Sequence, residues 1–235
     1  MGKNHMPRLA APKSWPIERK INRWILRPVC GPHAIKNCLP IGVILKEILK
    51  HSKTTKEVNF ILNQGFVLVN NIVRKDKKFP VGLMDVFEIK PLNEAYRMVF
   101  NKKGKLSLLK IKDKGIRVCK IIGKTTVKAK KIQLNLNDGR NILISKDDYH
   151  VGDSVVLDLA KQSIKDSLKL EKGAAVYLIG GKHIGYIGKI KDIIDVKGLQ
   201  RSKIVLDIAG KEFETLKEYA FVVGKEKPVI ELGEN

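Results

Sequence analysis

Residues 54–89 read TTKEVNFILNQGFVLVNNIVRKDKKFPVGLMDVFEI, and the signals for a small α+β unit follow one another along this stretch. Either of the first two threonines can cap a helix, on which Val58, Ile61 and Leu62 have the i, i+3, i+4 spacing of one apolar face. Gly65 stands where helices commonly end in a left-handed residue. The pattern therefore predicts a short amphipathic helix that ends next to this glycine.

A hairpin is predicted directly after the helix. Val67, Val69 and Val73 follow a strand alternation that Asn70-Asn71 interrupts, and asparagine is favoured in tight hairpin turns because it tolerates positive φ. A last strand is predicted at residues 86–89. Four cations precede that strand: Arg74, Lys75, Lys77 and Lys78. The stretch thus predicts a compact scaffold that presents a basic cluster.

This order of elements resembles the αL-type RNA-binding domain, in which a capped helix precedes an x-x-G-x-V-x-V-N turn and a closing G-x-x-D-x-I strand. The matching residues are Gly65, Val67, Val69, Asn70, Gly82, Asp85, Val86 and Ile89. In that family the basic helix face and the hairpin turn clasp a folded RNA junction. The resemblance implies phosphate contacts for Lys46, Lys50, Lys53, Lys56, Arg74 and Lys75. A merely solvated basic face is the alternative interpretation.

The charge of the chain independently indicates a polyanionic partner. Lysine and arginine number 46 against 24 aspartates and glutamates, a formal net charge of +22. The net charge is +7 in each of the segments 1–40, 41–105 and 106–170, but only +1 in 171–235. Because no apolar run approaches the ~18 to 20 residues of a membrane-spanning helix, nucleic acid is a better candidate than a membrane.

The N-terminal segment carries six of the nine prolines and both tryptophans within residues 1–40. Proline opposes regular helix, so an extended path is predicted, and we expect the segment to be disordered until it settles on RNA. Trp15 and Trp24 cannot build a core there on their own. They are expected to dock either on the neighbouring domain or on an RNA base.

Three stretches, one of them within residues 54–89, are similar to the small-subunit ribosomal protein S4e family. They read HMPRLAAPKSW at residues 5–15, FPVGLMDV at 79–86 and LKEYAFVVG at 216–224. The similarity extends over essentially the whole chain, and the archaeal branch fits best. Pro7 departs from the family's H-x-K-R opening, so one expected phosphate contact is missing. The resemblance implies a structural constituent of the small ribosomal subunit that binds rRNA.

The residues after 105 are predicted to be β-structured. Asp138-Gly139 is a strong turn between strands at 132–136 and 141–144, and a second turn at 101–104 separates strands at 96–100 and 106–111. Alternation at Ile132, Leu134 and Leu136 predicts one buried sheet face. A group of lysines just before these strands is expected either to contact RNA or only to keep the sheet soluble: Lys124, Lys128, Lys130 and Lys131.

Residues 172–190 place two strands around a glycine-rich turn, which resembles the KOW motif of small barrels in ribosomal and transcription proteins. Lys182 and His183 are predicted at its exposed tip. Gly181-Lys182 lacks the following Ser or Thr of a phosphate-cradling P-loop, which disfavours nucleotide hydrolysis. Strands at 204–208 and 213–216 are expected to complete an SH3-like barrel.

Catalytic and metal-binding patterns are not evident. The five histidines are scattered, and the acidic pairs Asp147-Asp148 and Asp192/Asp195 are predicted in turns, where acids usually act as caps. Cys30, His33 and Cys38 offer three metal ligands without a fourth, and the three cysteines have no C-x-x-C spacing. We therefore expect a non-enzyme of the reducing cytoplasm with no metal, cofactor or small-molecule substrate.

Together these patterns predict a mainly β, α+β chain in four parts: an extended basic segment (1–40), an αL-type RNA-binding domain (41–105), a central β domain (106–170) and a KOW-containing barrel (171–235). The expected partners are small-subunit rRNA and neighbouring ribosomal proteins. A free RNA-binding factor in ribosome assembly, rescue or transcription is the alternative. The remaining residues expected to contact RNA are Arg8, Lys13, Trp15, Arg19, Lys20, Arg23, Arg27, His33, Lys36 and Lys77.

Overall fold

The computed structural model describes residues 5–127, 131–145, 147–196, 200–208 and 210–233. The chain divides into two compact units. Unit 1 comprises residues 1–99 and 105–114, and unit 2 comprises residues 100–104 and 115–235. The N-terminal segment therefore shares a unit with the predicted RNA-binding module, and the two predicted β parts share the other. Strands predominate throughout the described ranges, which confirms the mainly β prediction.

The N-terminal segment follows an extended path, as its prolines predict, but it is packed. Its elements are β1 (His5–Pro7), a 3-10 turn (Arg8–Ala10), β2 (Trp24–Leu26), a second 3-10 turn (Ile35–Asn37) and β3 (Cys38–Pro40). Strands β1 and β2 pair antiparallel. Trp15 is only 1% exposed, and its Nε1 donates to the Ile35 carbonyl at 3.1 Å. The expectation of a disordered segment is thus not met, because this tryptophan finds a core within unit 1.

Two helical stretches follow. Helix α1 (Ile41–Val43) continues directly into a π-helical turn (Ile44–Ile48), and α2 spans Thr55–Asn63. The predicted cap is confirmed as a capping box, in which the Thr54 hydroxyl accepts from the Glu57 amide at 3.3 Å and the Glu57 carboxylate accepts from the Thr54 amide. Val58 and Leu62 are buried, and Gly65 has φ +72°, as the helix pattern predicted.

The sheet of unit 1 has five strands in the order β5-β4-β7-β8-β9. Its strands are β4 (Val67–Val69), β5 (Ile72–Val73), β7 (Val86–Ile89), β8 (Glu94–Phe100) and β9 (Leu106–Lys110), while β6 (Pro80–Gly82) pairs separately with β3. Asn70 and Asn71 have φ of 52° and 64° and join β4 to β5. The hairpin and the closing strand are therefore confirmed.

A buried carboxylate holds this module together. Asp85 is 1% exposed. Its Oδ1 accepts from Asn70 Nδ2 at 2.9 Å, and its Oδ2 accepts from the Gly82 amide at 2.8 Å and from His33 Nε2 at 2.9 Å. Asn70 Oδ1 in turn accepts from the Val86 amide at 3.0 Å. The Asn and Asp of the αL-type pattern thus stabilise the hairpin and leave the surface to other residues.

Gly82 is required by the same network. A Cβ atom at this position would overlap the imidazole ring of His33. Any larger residue would displace the ring from the Asp85 carboxylate.

The Cys38 thiol lies near the same carboxylate. Burial, together with the nearby Asp85 charge, raises the pKa of this thiol to about 12. That thiol therefore stays protonated at neutral pH.

Unit 2 contains two five-stranded antiparallel sheets. The first has the order β12-β11-β10-β13-β14, with β10 (Ile116–Thr126), β11 (Ile132–Leu136), β12 (Asn141–Ile144), β13 (Ser154–Asp158) and β14 (Ser163–Leu168). The second has the order β18-β17-β16-β15-β19, with β15 (Ala175–Leu178), β16 (Ile187–Ile194), β17 (Lys203–Ile208), β18 (Lys211–Leu216) and β19 (Ala220–Gly224). Short 3-10 turns occupy Lys90–Leu92 in unit 1 and Lys217–Tyr219 in unit 2.

The first sheet of unit 2 buries one face, as its alternation predicts. Leu134 and Leu136 pack with Cys119, Ile121 and residues of β13. A buried ion pair lies beside this core: Arg117 Nη1 is 2.7 Å from Asp138 Oδ2, and both side chains are 1% exposed. The aspartate of the predicted Asp138-Gly139 turn thus also neutralises a buried arginine.

The second sheet contains the strands predicted around the glycine-rich turn and those joined through Gly210. The prediction that Asp192 lies in a turn is wrong. It lies in β16 where the register shifts against β17, and its carboxylate pairs with Lys172 Nζ at 2.8 Å. A bulge places an extra residue in a strand and can present a polar side chain that alternation does not foresee.

Lys120 connects the two sheets of unit 2. Its Nζ donates to the carbonyls of Ala220 at 2.6 Å, Glu218 at 2.8 Å and Lys217 at 3.5 Å. The pKa of this ammonium is lowered to about 8, mainly by burial; the Glu218 charge opposes the change, and the Lys217 charge adds a smaller lowering. A charged group is therefore held on backbone carbonyls at a cost in desolvation.

We predict that Asp85→Ala lowers the free energy of unfolding by about 3 kcal/mol or more, because several buried donors lose their acceptor at once. Urea unfolding of the purified chain measures the change. Asp113→Ala is the matched control, since this aspartate is exposed, and its effect should stay within about 0.5 kcal/mol. Equal losses in the two variants would contradict the role assigned to Asp85.

The Lys120 environment predicts a pH dependence. Between about pH 8 and 10.5 the unfolded chain holds a proton on Lys120 that the folded chain has lost, so stability from this residue rises with pH across that window. The difference in unfolding free energy, wild type minus Lys120→Met, should therefore increase from pH 8 to 10.5, by up to about 3 kcal/mol. Parallel urea titrations at several pH values measure it. A pH-independent difference would show that burial does not perturb this ammonium.

Candidate nucleic-acid interface

The basic residues around α2 form an exposed group. Lys46 and Lys50 lie on and just after the π turn, while Lys53 and Lys56 flank the N-terminus of α2. Hydrogen bonds from the Lys53 amide and the Thr54 hydroxyl lower the pKa of Glu57, so this carboxylate stays ionised in the capping box. The cap thereby fixes the start of the helix and the direction in which its lysines project.

Phe60 is an exposed aromatic residue that the sequence reasoning missed. It is 63% exposed on α2, one helical turn after Lys56. Residues at i and i+4 share a helix face. The signal was present in the sequence, because Phe60 falls outside the Val58–Leu62 apolar face and has no other core to join. A cation and a ring are thus presented side by side.

The hairpin end of unit 1 adds a second basic group. Lys75 is exposed and Lys77 is half-buried. The Arg74 guanidinium lies 4.2 Å from the centre of the Phe79 ring, and its backbone amide donates to the Val67 carbonyl at 3.1 Å. Stacking on a ring leaves a guanidinium its charge and fixes its position. Arg74 is therefore a pre-positioned cation.

The N-terminal segment divides its predicted contacts between surface and interior. Those on the surface are Lys13, Lys20, Arg23, Arg27 and Lys36. Arg19 is half-buried, and its guanidinium donates to the carbonyls of Ala11 at 2.8 Å and Pro12 at 2.7 Å. These bonds hold the proline-rich turn in place. The N–H groups of the Arg19 guanidinium are therefore already used by backbone carbonyls of the protein.

Three residues predicted to contact RNA have their side chains turned inward instead: Arg8 and Trp15 are buried, and the His33 side chain is only 5% exposed. Arg8 pairs with the Glu47 carboxylate and donates to the Glu18 carbonyl at 2.6 Å. The indole of Trp15 is inside unit 1, and the His33 imidazole binds Asp85. Each has a partner distant in sequence, which local patterns do not reveal. These three are therefore not part of the exposed surface that is a candidate for phosphates.

In unit 2, Lys131 and Lys182 are exposed. His183 was predicted at the exposed tip with Lys182 but is half-buried, with its ring 4.2 Å from that of Phe213. The predicted contacts Lys128 and Lys130 lie outside the described residues. The structure therefore places one cation of the glycine-rich turn and one of the central sheet at the surface.

Ion pairing distinguishes the two basic regions. In the second sheet of unit 2, Lys191 pairs with Glu212, and four further pairs link Lys172 to Asp192, Arg201 to Glu218, Lys203 to Glu214 and Lys217 to Asp195. Hydrogen bonding from Lys172 and Lys217 lowers the pKa values of Asp192 and Asp195. Within the described part of the chain, no such pair involves Lys46, Lys50, Lys53, Lys56 or Lys75. These five cations have charge available for an outside partner.

Two other features are absent from the described ranges. None of their helices is long and apolar enough to span a bilayer. They also contain no grouping of three or more histidine, cysteine or acidic side chains arranged to hold a metal ion.

Comparison with known proteins gives matches at both family and whole-chain level. A family model described as Ribosomal family S4e matches residues 92–164, and the RS4NT (NUC023) domain matches residues 1–36. Small ribosomal subunit protein eS4 of Methanosphaera stadtmanae is 42% identical, over 99% of this chain and 98% of its own length. The corresponding protein of Methanocaldococcus jannaschii is 40% identical over 98% of each chain.

A solved structure is also similar. The crystal structure of the 30S ribosomal protein S4e from Thermoplasma acidophilum matches with a TM-score of 0.70 and 29% sequence identity. The match covers 80% of this chain and 96% of the Thermoplasma chain. Sequence identity and structural similarity therefore agree over most of the length, and the chain belongs to the ribosomal protein family S4e.

Proposed function

We propose that this chain is a structural constituent of the small ribosomal subunit, which binds rRNA in the cytoplasm and supports translation without catalysing a reaction. Its relatives are named as small-subunit proteins. The observation that carries the proposal for the chain itself is the group of exposed, unpaired lysines around α2 and the hairpin. Their charge is most readily neutralised by phosphates.

The mechanism is electrostatic and architectural. Asp85 fixes the hairpin against the N-terminal segment, so the lysines are displayed from a preformed shape. Preformed shape suits the recognition of folded RNA, which proteins read largely through backbone geometry. Each phosphate contact releases counterions and makes affinity fall with salt. Lys53, Lys56 and Lys75 are the residues that we place on phosphates first, with Phe60 available to stack on an unpaired base.

The two units have different roles in this proposal. We assign the second sheet of unit 2 to a KOW-type small barrel. Because five of its cations are paired with its own carboxylates, we assign part of this surface to neighbouring small-subunit proteins. Lys131 and Lys182 are its candidate RNA contacts. The four-part domain division of the sequence is retained as a functional division within the two units.

Sedimentation of a cell lysate through a sucrose gradient tests the assignment. The chain should travel with the small subunit in near one-to-one amount, resist a salt wash and be released by ribonuclease. If it washes off, or sediments with other complexes, it acts as a free RNA-binding factor and the proposal fails.

Charge variants test the site. Lys53→Ala, Lys56→Ala and Lys75→Ala, combined, should weaken binding of the purified chain to small-subunit rRNA and reduce the magnitude of the log affinity against log salt slope by roughly 2 to 3, since each phosphate contact contributes about 0.7 to 0.9. Filter binding across a salt series measures both quantities.

The matched control combines Lys161→Ala, Lys165→Ala and Lys225→Ala, which removes the same charge from exposed positions of unit 2. Its slope should change by less than half as much. Equal changes in the two variants would mean that total charge, and not the α2 and hairpin surface, governs binding.

A further inference from the structure

A groove in unit 1 carries features that the phosphate-binding surface does not explain. It has a volume of about 700 Å³, which is within the ~300 to 1,000 Å³ of pockets for small ligands. The N-terminal segment forms one wall with Ile21 and Trp24. The other wall comes from the helical stretch that follows, with Lys46, Lys50 and Lys53. The lining therefore combines apolar and aromatic side chains with lysines.

The aromatic wall is presented in a fixed orientation. Trp24 is 47% exposed although it lies in β2. The His5 ring meets its indole edge to face at 4.6 Å, and the Arg23 guanidinium lies 5.1 Å from the indole centre. A large exposed ring held by two neighbours loses little freedom when a ligand stacks on it.

The basic wall is built on unusual backbone. The π turn is closed by the Leu49 amide, which donates to the Ile44 carbonyl at 2.9 Å. Lys50 then has φ 56°, a left-handed conformation that is uncommon for lysine. π turns and left-handed residues are frequent at functional sites, where they re-aim side chains. Here they bring Lys46, Lys50 and Lys53 to the same groove.

Two buried polar groups on the lining also lack partners. Ser52 is 3% exposed, and neither its Oγ nor the Nε of Arg8 has a hydrogen-bond partner among the described residues. An unsatisfied buried polar group costs about 1 to 3 kcal/mol. Both residues line the groove, so a polar ligand in it is a candidate partner after a small side-chain rotation.

The charge of the lining selects the ligand class. Arg8, Lys46, Lys50, Lys53 and Lys77 line the groove against only Glu18 and Glu47. Glu47 is already neutralised by Arg8. The groove thus combines a flat aromatic surface with excess positive charge, which complements a base and its phosphates better than an acidic peptide, whose side chains have no ring to stack.

We propose that this groove binds one unpaired nucleotide of the RNA, with the base stacked on Trp24 and the adjoining phosphates on Lys46, Lys50 and Lys53. The inference rests on the proposed function in that RNA is the ligand. It adds a stacking site for one unpaired nucleotide to a surface that otherwise contacts the phosphates of the RNA backbone.

Tryptophan fluorescence tests the proposal, because Trp15 is buried and Trp24 is exposed. The purified full chain is titrated with hexa-adenylate RNA at roughly 150 mM salt, where the Debye length is about 8 Å. Binding should quench Trp24 emission. An RNA duplex of equal phosphate number and a hexaglutamate peptide should produce no comparable quenching.

Three variants separate stacking from charge and from folding, with affinity measured by anisotropy of labelled hexa-adenylate. Trp24→Ala should bind about tenfold more weakly, since base stacking contributes ~1 to 3 kcal/mol and 1.4 kcal/mol is tenfold. Trp24→Phe should keep most of the affinity but lose the quenching. Lys50→Gly should weaken binding with no loss of thermal stability, because its φ of 56° suits glycine.

Lys165→Ala, at an exposed position of unit 2, is the charge control and should change affinity less than twofold. The groove assignment is overturned if wild-type emission is not quenched, if Trp24→Ala binds hexa-adenylate like wild type, or if hexaglutamate binds as tightly. Failure of wild type to bind small-subunit rRNA would contradict the proposed function instead. The two failures are therefore distinguishable in one set of samples.

Discussion

The buried carboxylate of Asp85 is the group on which the architecture of unit 1 depends. It is buried, so its charge must be compensated by donors from the protein. Those donors come from three separate segments: His33 from the N-terminal segment, Asn70 from the hairpin turn and the amide of Gly82 from β6. One group therefore fixes the relative positions of the extended segment and the hairpin. The positions of the lysines on these two segments therefore depend on the same carboxylate.

Local signals in the sequence were sufficient for much of unit 1. The capping threonine, the left-handed Gly65 and the Asn70-Asn71 turn each act within a few residues, and the structure has them as predicted. Long-range partners were not predictable in the same way. Arg8 pairs with Glu47, which is 39 residues away in the sequence, and His33 bonds to Asp85, which is 52 residues away. Periodicity and spacing carry no information about such pairs, which is why both residues were first assigned to the RNA.

Charge counting has a similar limit. The excess of cations correctly distinguishes the near-neutral C-terminal quarter from the rest, but it treats every cation alike. The fold uses some of them internally: Arg117 is buried on Asp138, and Lys120 is held on carbonyls of the neighbouring sheet. Others are paired at the surface, where each pair stabilises by about 0 to 1 kcal/mol. Only the three-dimensional pairing identifies which lysines are available to phosphates.

Preorganisation and stacking together explain why a packed N-terminal segment is useful. Phosphate contacts are strong but largely independent of sequence and are weakened by salt. A segment that had to order on binding would lose part of that free energy to conformational entropy. Trp15, buried in unit 1, and Arg19, bonded to the backbone of the proline-rich turn, provide the ordering in advance. Trp24 then remains exposed at a defined place, and in our proposal base stacking on its ring adds a salt-insensitive contact to an electrostatic surface.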